Sequence, residues 1–238
     1  MDEHSTSNRV VDALTLARHQ WRRHLSEELR TMPNLPPAPP RWTIAISREA
    51  GIDASAIAQP LAESLGWTVY DRELVEQIAQ ESGLRKELVE SLDESPAERF
   101  HGLLDHLLGI HDTNVDRYLR SLTECVCALA ARGHCILVGR GAAVALPVES
   151  TLAIRLVAPL SARVASLRAA SGLTEKAARN EIERVDTERS KFVSTHFHKN
   201  PDDSSNYDLV LNVSRLSHMQ CAAIIAEAYQ QLRAGSRT

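Results

Sequence analysis

No stretch of about 18 or more apolar residues occurs in the sequence, which excludes a helix built to span a bilayer. Basic residues are not in excess either: 27 lysines and arginines face 31 aspartates and glutamates, a formal net charge of −4. That balance argues against a general nucleic-acid binder, which needs a basic surplus to neutralise phosphates. Cysteine is sparse, and Cys125, Cys127, Cys135 and Cys221 stand at spacings that make no disulfide framework. Reduced thiols are the plain expectation. Residues 1–30 carry charges throughout and no apolar signal-peptide core, so a cytoplasmic location is expected. Lysine is rare, with only Lys86, Lys176, Lys191 and Lys199, so a site that needs an ammonium group has few places to find one. Histidine is more frequent, but His101, His106 and His111 rotate around a helix at five-residue steps, and His196 and His198 chelate only from an extended segment. What remains, 43% hydrophobic and 24% charged residues, is the make-up of a water-soluble domain with a proper core.

The organisation along the chain has three parts. Val11, Leu14, Trp21, Leu25 and Leu29 recur among arginines and glutamates, predicting an amphipathic helix within residues 1–31. Its Asp12, Glu27 and Glu28 favour a solvated face over a membrane surface, and a homodimer or protein partner is the expected use. Residues 32–40 hold five prolines, which remove amide donors and fix φ, so they read as a stiff linker. Residues 41–238 then alternate between short β-branched runs and helical periodicity. Strands are predicted over 42–47, 67–70, 135–138, 152–157 and 208–212. Helices are predicted over 55–65 (closed by Gly66), 72–82, 85–92, 96–108 and 112–131, and then from Ser161, Thr174 and Ser217. Strands separated by helices pair in parallel, so the fold class is α/β, a doubly wound five-stranded parallel sheet. Ligands of such sheets bind beyond the carboxyl ends of the strands.

The first strand–loop–helix unit is therefore where phosphate would be cradled by backbone amides. Here it reads Ser47-Arg-Glu-Ala-Gly51-Ile-Asp-Ala-Ser55, with one glycine, no lysine and Asp53 in the middle. Ser55 reads equally as a magnesium-facing hydroxyl and as the N-cap of its helix. Asp71, at the end of the second strand, reads equally as a magnesium-holding carboxylate and as an N-cap. Arg140, flanked by Gly139 and Gly141 after the third strand, has little packing purpose and points to a phosphate or base contact.

The stretches Ile44-Ala-Ile-Ser-Arg-Glu-Ala-Gly51, Val69-Tyr-Asp-Arg-Glu-Leu74, Ile136-Leu-Val-Gly-Arg-Gly-Ala-Ala143, Val157-Ala-Pro-Leu160 and Tyr207-Asp-Leu-Val-Leu-Asn212 come in the order of the cytidylate kinase-like family, which the chain resembles over about residues 42–232. The resemblance implies the sheet of P-loop nucleoside monophosphate kinases, with ATP and Mg2+ as cofactors and a small nucleotide as ligand. It implies nucleotide contacts from Ser47, Arg48, Gly51, Ser55 and Asp186, and metal contacts from Ser55 and Asp71. It also implies catalytic roles for Arg140, Arg163 and Arg189, with Arg168 and Arg184 on the same pair of helices. The departures are as specific. Ile52, Asp53 and Ala54 stand where the family has Ser-Gly-Gly, Ala54 stands where the wider superfamily has its lysine, and Gly141 replaces the aspartate of cytidylate kinases. Two functions follow as expectations: ATP-dependent phosphoryl transfer to a nucleoside monophosphate or other small acceptor, or a catalytically impaired relative acting as a nucleotide-binding or protein-interaction module.

Overall fold

A computed structural model describes residues 41–92 and 117–235. The predicted N-terminal helix, the proline linker, the helix over 96–108 and the start of the helix over 112–131 lie outside the described residues.

The chain runs β1 (Thr43–Arg48), α1 (Ser55–Leu65), β2 (Thr68–Tyr70), α2 (Arg72–Gln80), α3 (Ser82–Glu90), α4 (Arg117–Arg132), β3 (Cys135–Val138), α5 (Ala142–Ala145), β4 (Thr151–Val157), α6 (Leu160–Ser171), α7 (Glu175–Phe197), β5 (Leu209–Asn212) and α8 (His218–Gly235). All five strands pair in parallel, in the order β2-β3-β1-β4-β5. The α/β, doubly wound class is as expected from the sequence, and each predicted strand lies within a residue of its observed limits. Strand β1 is central: the chain leaves it towards β2 on one side and later returns to β4 on the other, so its carboxyl end is the switch point of the sheet.

Period-two alternation sorts the strand side chains into two cores. Ile44, Ile46, Leu152 and Ile154 face α1 and α8, with Ile57, Leu61 and Ile225 sealing that side. Ala45, Leu137 and Ala153 face α2, α4 and α5, together with Leu122, Leu129 and Phe197. Helix ends follow local chemistry. Gly66 closes α1 in the left-handed conformation (φ 66°), and Thr174 caps α7 by accepting from Ala177 N. Ser217 and Gln220 form a reciprocal capping box at α8, with Gln220 N donating to Ser217 Oγ and Ser217 N to Gln220 Oε1. Helix α3 starts three residues before the predicted Arg85, because Glu81 already accepts the first turn's amide from Arg85.

Candidate functional site

A cavity of about 690 Å³ opens at the carboxyl edge of the sheet, floored by β1, β4 and the turn after β3 and walled by α5, α7 and the α7–β5 connection. Of the residues singled out from the sequence, it gathers Ser47, Arg48, Arg140, Asp186 and Arg189. Gly51, Ser55, Asp71 and Arg163 do not line it.

Its positive corner is built from Arg48 on β1, Arg72 at the start of α2, Arg140 after β3 and Arg189 on α7. Arg189 Nη1 donates to the Arg48 carbonyl at 3.1 Å, which brings the two side chains together. Neither has a carboxylate within ion-pair distance among the described residues, whereas Arg140 pairs with Glu76 and Arg72 lies 3.7 Å from that same carboxylate. Burial pushes Arg48 down to about 10, and the neighbouring charges of Arg189, Arg72 and Arg140 push the same way against Glu73. Arg140 is likewise held near about 10 by burial and by Arg72. Arg189 is lowered by burial first, with Asp186 opposing and Arg72 and Arg155 adding to the fall. Such mutual repulsion in a partly desolvated corner is what an anion relieves.

The backbone that carries Arg140 is strained in a way the geometry explains. Gly139, Arg140 and Gly141 all have positive φ (89°, 53° and 74°), and for an arginine that conformation is costly. A Cβ on Gly139 would lie 2.3 Å from the Arg48 guanidinium, and one on Gly141 would lie 2.1 Å from the Phe197 ring. The turn is thus wedged between Arg48 and Phe197, which fixes both the arginine of the corner and the aromatic wall beside it. The Nε of Arg140 is buried with no hydrogen-bond partner among the described residues.

Arg163 and Asp186 form a clamp on the β1–α1 loop. Asp186 Oδ1 accepts from Ala50 N at 2.7 Å, and its Oδ2 accepts from Arg163 Nη1 at 2.6 Å. Arg163 also donates to the carbonyls of Ala158 and Ala50 and lies 3.3 Å from Glu49, whose Oε2 accepts from Ala158 N. Gly51 is needed here: its φ is +84°, and a Cβ would stand 2.8 Å from the Arg163 carbonyl. Helices α6 and α7 are therefore bolted to the β1–α1 loop by these two side chains.

The phosphate loop itself does not fit ATP and Mg2+. Ala54, at the lysine position, is buried in the α1–α8 core. Asp53 turns its carboxylate onto the start of α1 and accepts from Ala56 N at 3.0 Å, taking up an amide of the helix end that a phosphate would use. Position 54, not Ser55, is the N-cap; Ser55 is the first helical residue and is exposed. The Asp71 carboxylate caps α2, accepting from Leu74 N at 2.9 Å. No cluster of three metal-ligating side chains occurs among the described residues.

Arg155 escaped the sequence reading. It sits in register with Ser47, donates to Ser47 Oγ at 2.9 Å and pairs with Asp202 at 3.0 Å, and it lines the cavity. A charged residue inside the apolar run of β4 was the available signal. Glu76 and Phe192 were missed as well, and nothing local marks them out; Tyr207 stood in a family stretch but was given no role in the site.

A sheet in the order β2-β3-β1-β4-β5 with an arginine-lined cavity at its switch point agrees with the P-loop nucleotide kinase class, to which the sequence comparisons assign the chain. Within that class a model of the cytidylate kinase-like family matches residues 43–215, and the chain belongs to that family. A cytidylate kinase of Methanopyrus kandleri is 28% identical over 199 residues, covering 79% of this chain and 93% of that protein. A uronate isomerase of Corynebacterium glutamicum is 34% identical over 95 residues, but the match covers 40% of this chain and only 18% of that enzyme's length. A crystal structure of an uncharacterised protein from Eubacterium ventriosum shares the fold, with a TM-score of 0.59 at 19% identity over 82% of this chain and 99% of that one. No helix among the described residues is long and apolar enough to cross a membrane.

Proposed function

We propose that the chain is a nucleotide-binding member of its family whose cavity takes a nucleoside monophosphate, with the phosphate held by Arg48, Arg140 and Arg189. The observation that carries this reading is the charge count of the corner. Four arginines (Arg48, Arg72, Arg140 and Arg189) face Glu73, Glu76 and Asp186; Arg163 already pairs with Asp186 and Arg140 pairs with Glu76, so Arg48 and Arg189 are left with no ion-pair carboxylate among the described residues. A phosphate monoester above its second pKa of about 6 brings close to two negative charges. Arginine forks also match phosphate oxygens in pairs. The mismatched loop supports a binding module over an efficient phosphotransferase.

ATP-dependent phosphoryl transfer is the second reading, favoured by the likeness to a cytidylate kinase over 93% of that protein. Calorimetric titration with CMP, then with ATP and magnesium, separates the two. Micromolar CMP binding without ATP binding is expected. Tight binding of both would favour the second reading, and no binding of CMP or inorganic phosphate would sink the first.

A further inference from the structure

Glu76 stands behind the positive corner rather than in it. It lies on α2 and does not line the cavity, whereas Arg72 and Arg140 do. Their i,i+4 spacing puts Arg72 and Glu76 on one face of that helix, with Arg72 Nε 3.7 Å from Glu76 Oε2. The other oxygen, Oε1, meets Nη2 of Arg140 and also accepts from the Tyr118 hydroxyl at 3.1 Å. Tyr118 is on α4, and it does not line the cavity either. One carboxylate thus ties two cavity arginines to the neighbouring helix.

Arg140 has a use for such a hold. Its side chain is 12% exposed, and its Nε and Nη2 are buried. The turn between Gly139 and Gly141 fixes its backbone but not the side-chain torsions beyond it. An arginine that samples several rotamers must be ordered when a ligand arrives, which weakens binding; one already held in place avoids that loss. An exposed ion pair would do little here, but this guanidinium is enclosed, and an enclosed charge is stable only beside a counter-charge.

We infer that Glu76, anchored by Tyr118, is a positioning residue for the phosphate corner: it aims Arg140 into the cavity without touching the ligand. The inference rests on the nucleotide-binding reading above and deepens it. A carboxylate near the corner also repels a phosphate, so charge and geometry pull in opposite directions. Two substitutions isolate the geometry because they leave the charge alone. Glu76→Asp keeps the carboxylate but draws it back from Arg140 by one methylene. Tyr118→Phe keeps Glu76 and removes the hydroxyl that steadies it.

The test is calorimetric titration of the full chain and its variants with CMP at one salt concentration, with Tm measured alongside. Each of the two substitutions should weaken CMP binding by about threefold or more. The double variant should lose less than the product of the singles, because both act through one carboxylate. Glu76→Gln keeps the reach and an accepting oxygen, and it should bind CMP at least as tightly as wild type. Either charge-conserving variant binding within about threefold of wild type overturns the inference, and a lowered Tm with unchanged affinity gives Glu76 a purely structural role. Weaker binding by Glu76→Gln, or a fully multiplicative double variant, also overturns it. If the wild-type chain binds no CMP, the nucleotide-binding reading falls and takes the inference with it. Should one charge-conserving variant not fold, the other decides.

Discussion

Replacing Asp186 by alanine should destabilise the domain by about 2–4 kcal/mol, through the β1–α1 loop rather than through the cavity. The size follows from what the carboxylate holds. Ala50 is 4% exposed, and its amide loses the acceptor at 2.7 Å, a desolvation cost of about 1–3 kcal/mol. Arg163, its side chain 11% exposed, loses a charge-assisted bond at 2.6 Å but keeps Glu49 and two carbonyls, so it is not orphaned. The two losses share one group and do not simply add. Urea denaturation followed by tryptophan fluorescence would read the change, with the denaturant slope unaltered. On heating, the same loss lowers Tm by about 4–16 °C for a domain of this size. The double variant with Arg163→Met should be less destabilised than the sum of the singles by at least about 1 kcal/mol, because both belong to one clamp. A loss below about 0.5 kcal/mol for Asp186→Ala would refute the clamp and free Asp186 for a ligand role.

Gly141→Ala should cost about 2–4 kcal/mol, seen as a Tm drop of about 5–15 °C, since the left-handed backbone and the Phe197 ring both oppose the methyl group; an unchanged Tm would show that the ring moves aside freely. Asp53→Ala should remove a helix cap worth about 1 kcal/mol by urea denaturation, and calorimetry should still detect no ATP binding, because Ala54 supplies no ammonium group. Affinity for CMP should rise with pH through about 6 as the phosphate gains its second charge. A CMP affinity unchanged between about pH 5 and pH 8 would place the phosphate away from the arginine corner. Burial pushes the Cys125 and Cys127 thiols up to about 12, and Cys135 and Cys221 are buried too. A thiol reagent at about pH 8 should therefore label fewer than one site per native chain and four after denaturation, and one fast native thiol would contradict the packing.

The sheet was legible because its strands are short apolar runs fenced by glycine, proline and helical periodicity, signals that act within a few residues. Gly66 and Thr174 were legible for the same reason, being local backbone chemistry. The roles of the polar groups were not. Asp186 meets Ala50 across 136 positions of sequence, and Glu49 meets Ala158 across 109, so the clamp exists only once the sheet has formed. Ser55 looked like a cap because serine favours that place; Asp53, two residues earlier, reaches the Ala56 amide instead. Arg155 was hidden by the apolar strand around it, although its register with Ser47 gives it a direct purpose.

The ring of Phe197 and the bare backbone of Gly141 also constrain which substitutions each position accepts. With the ring in place, no side chain is acceptable at position 141, whatever advantage an acidic group there would bring. The ring must shrink first, and a smaller residue at position 197 on its own leaves a void in a well-filled core. Each single step is penalised while the pair of steps together need not be. Placing an acidic residue at position 141 is therefore a matter of the order of two substitutions as much as of the chemistry that residue would bring.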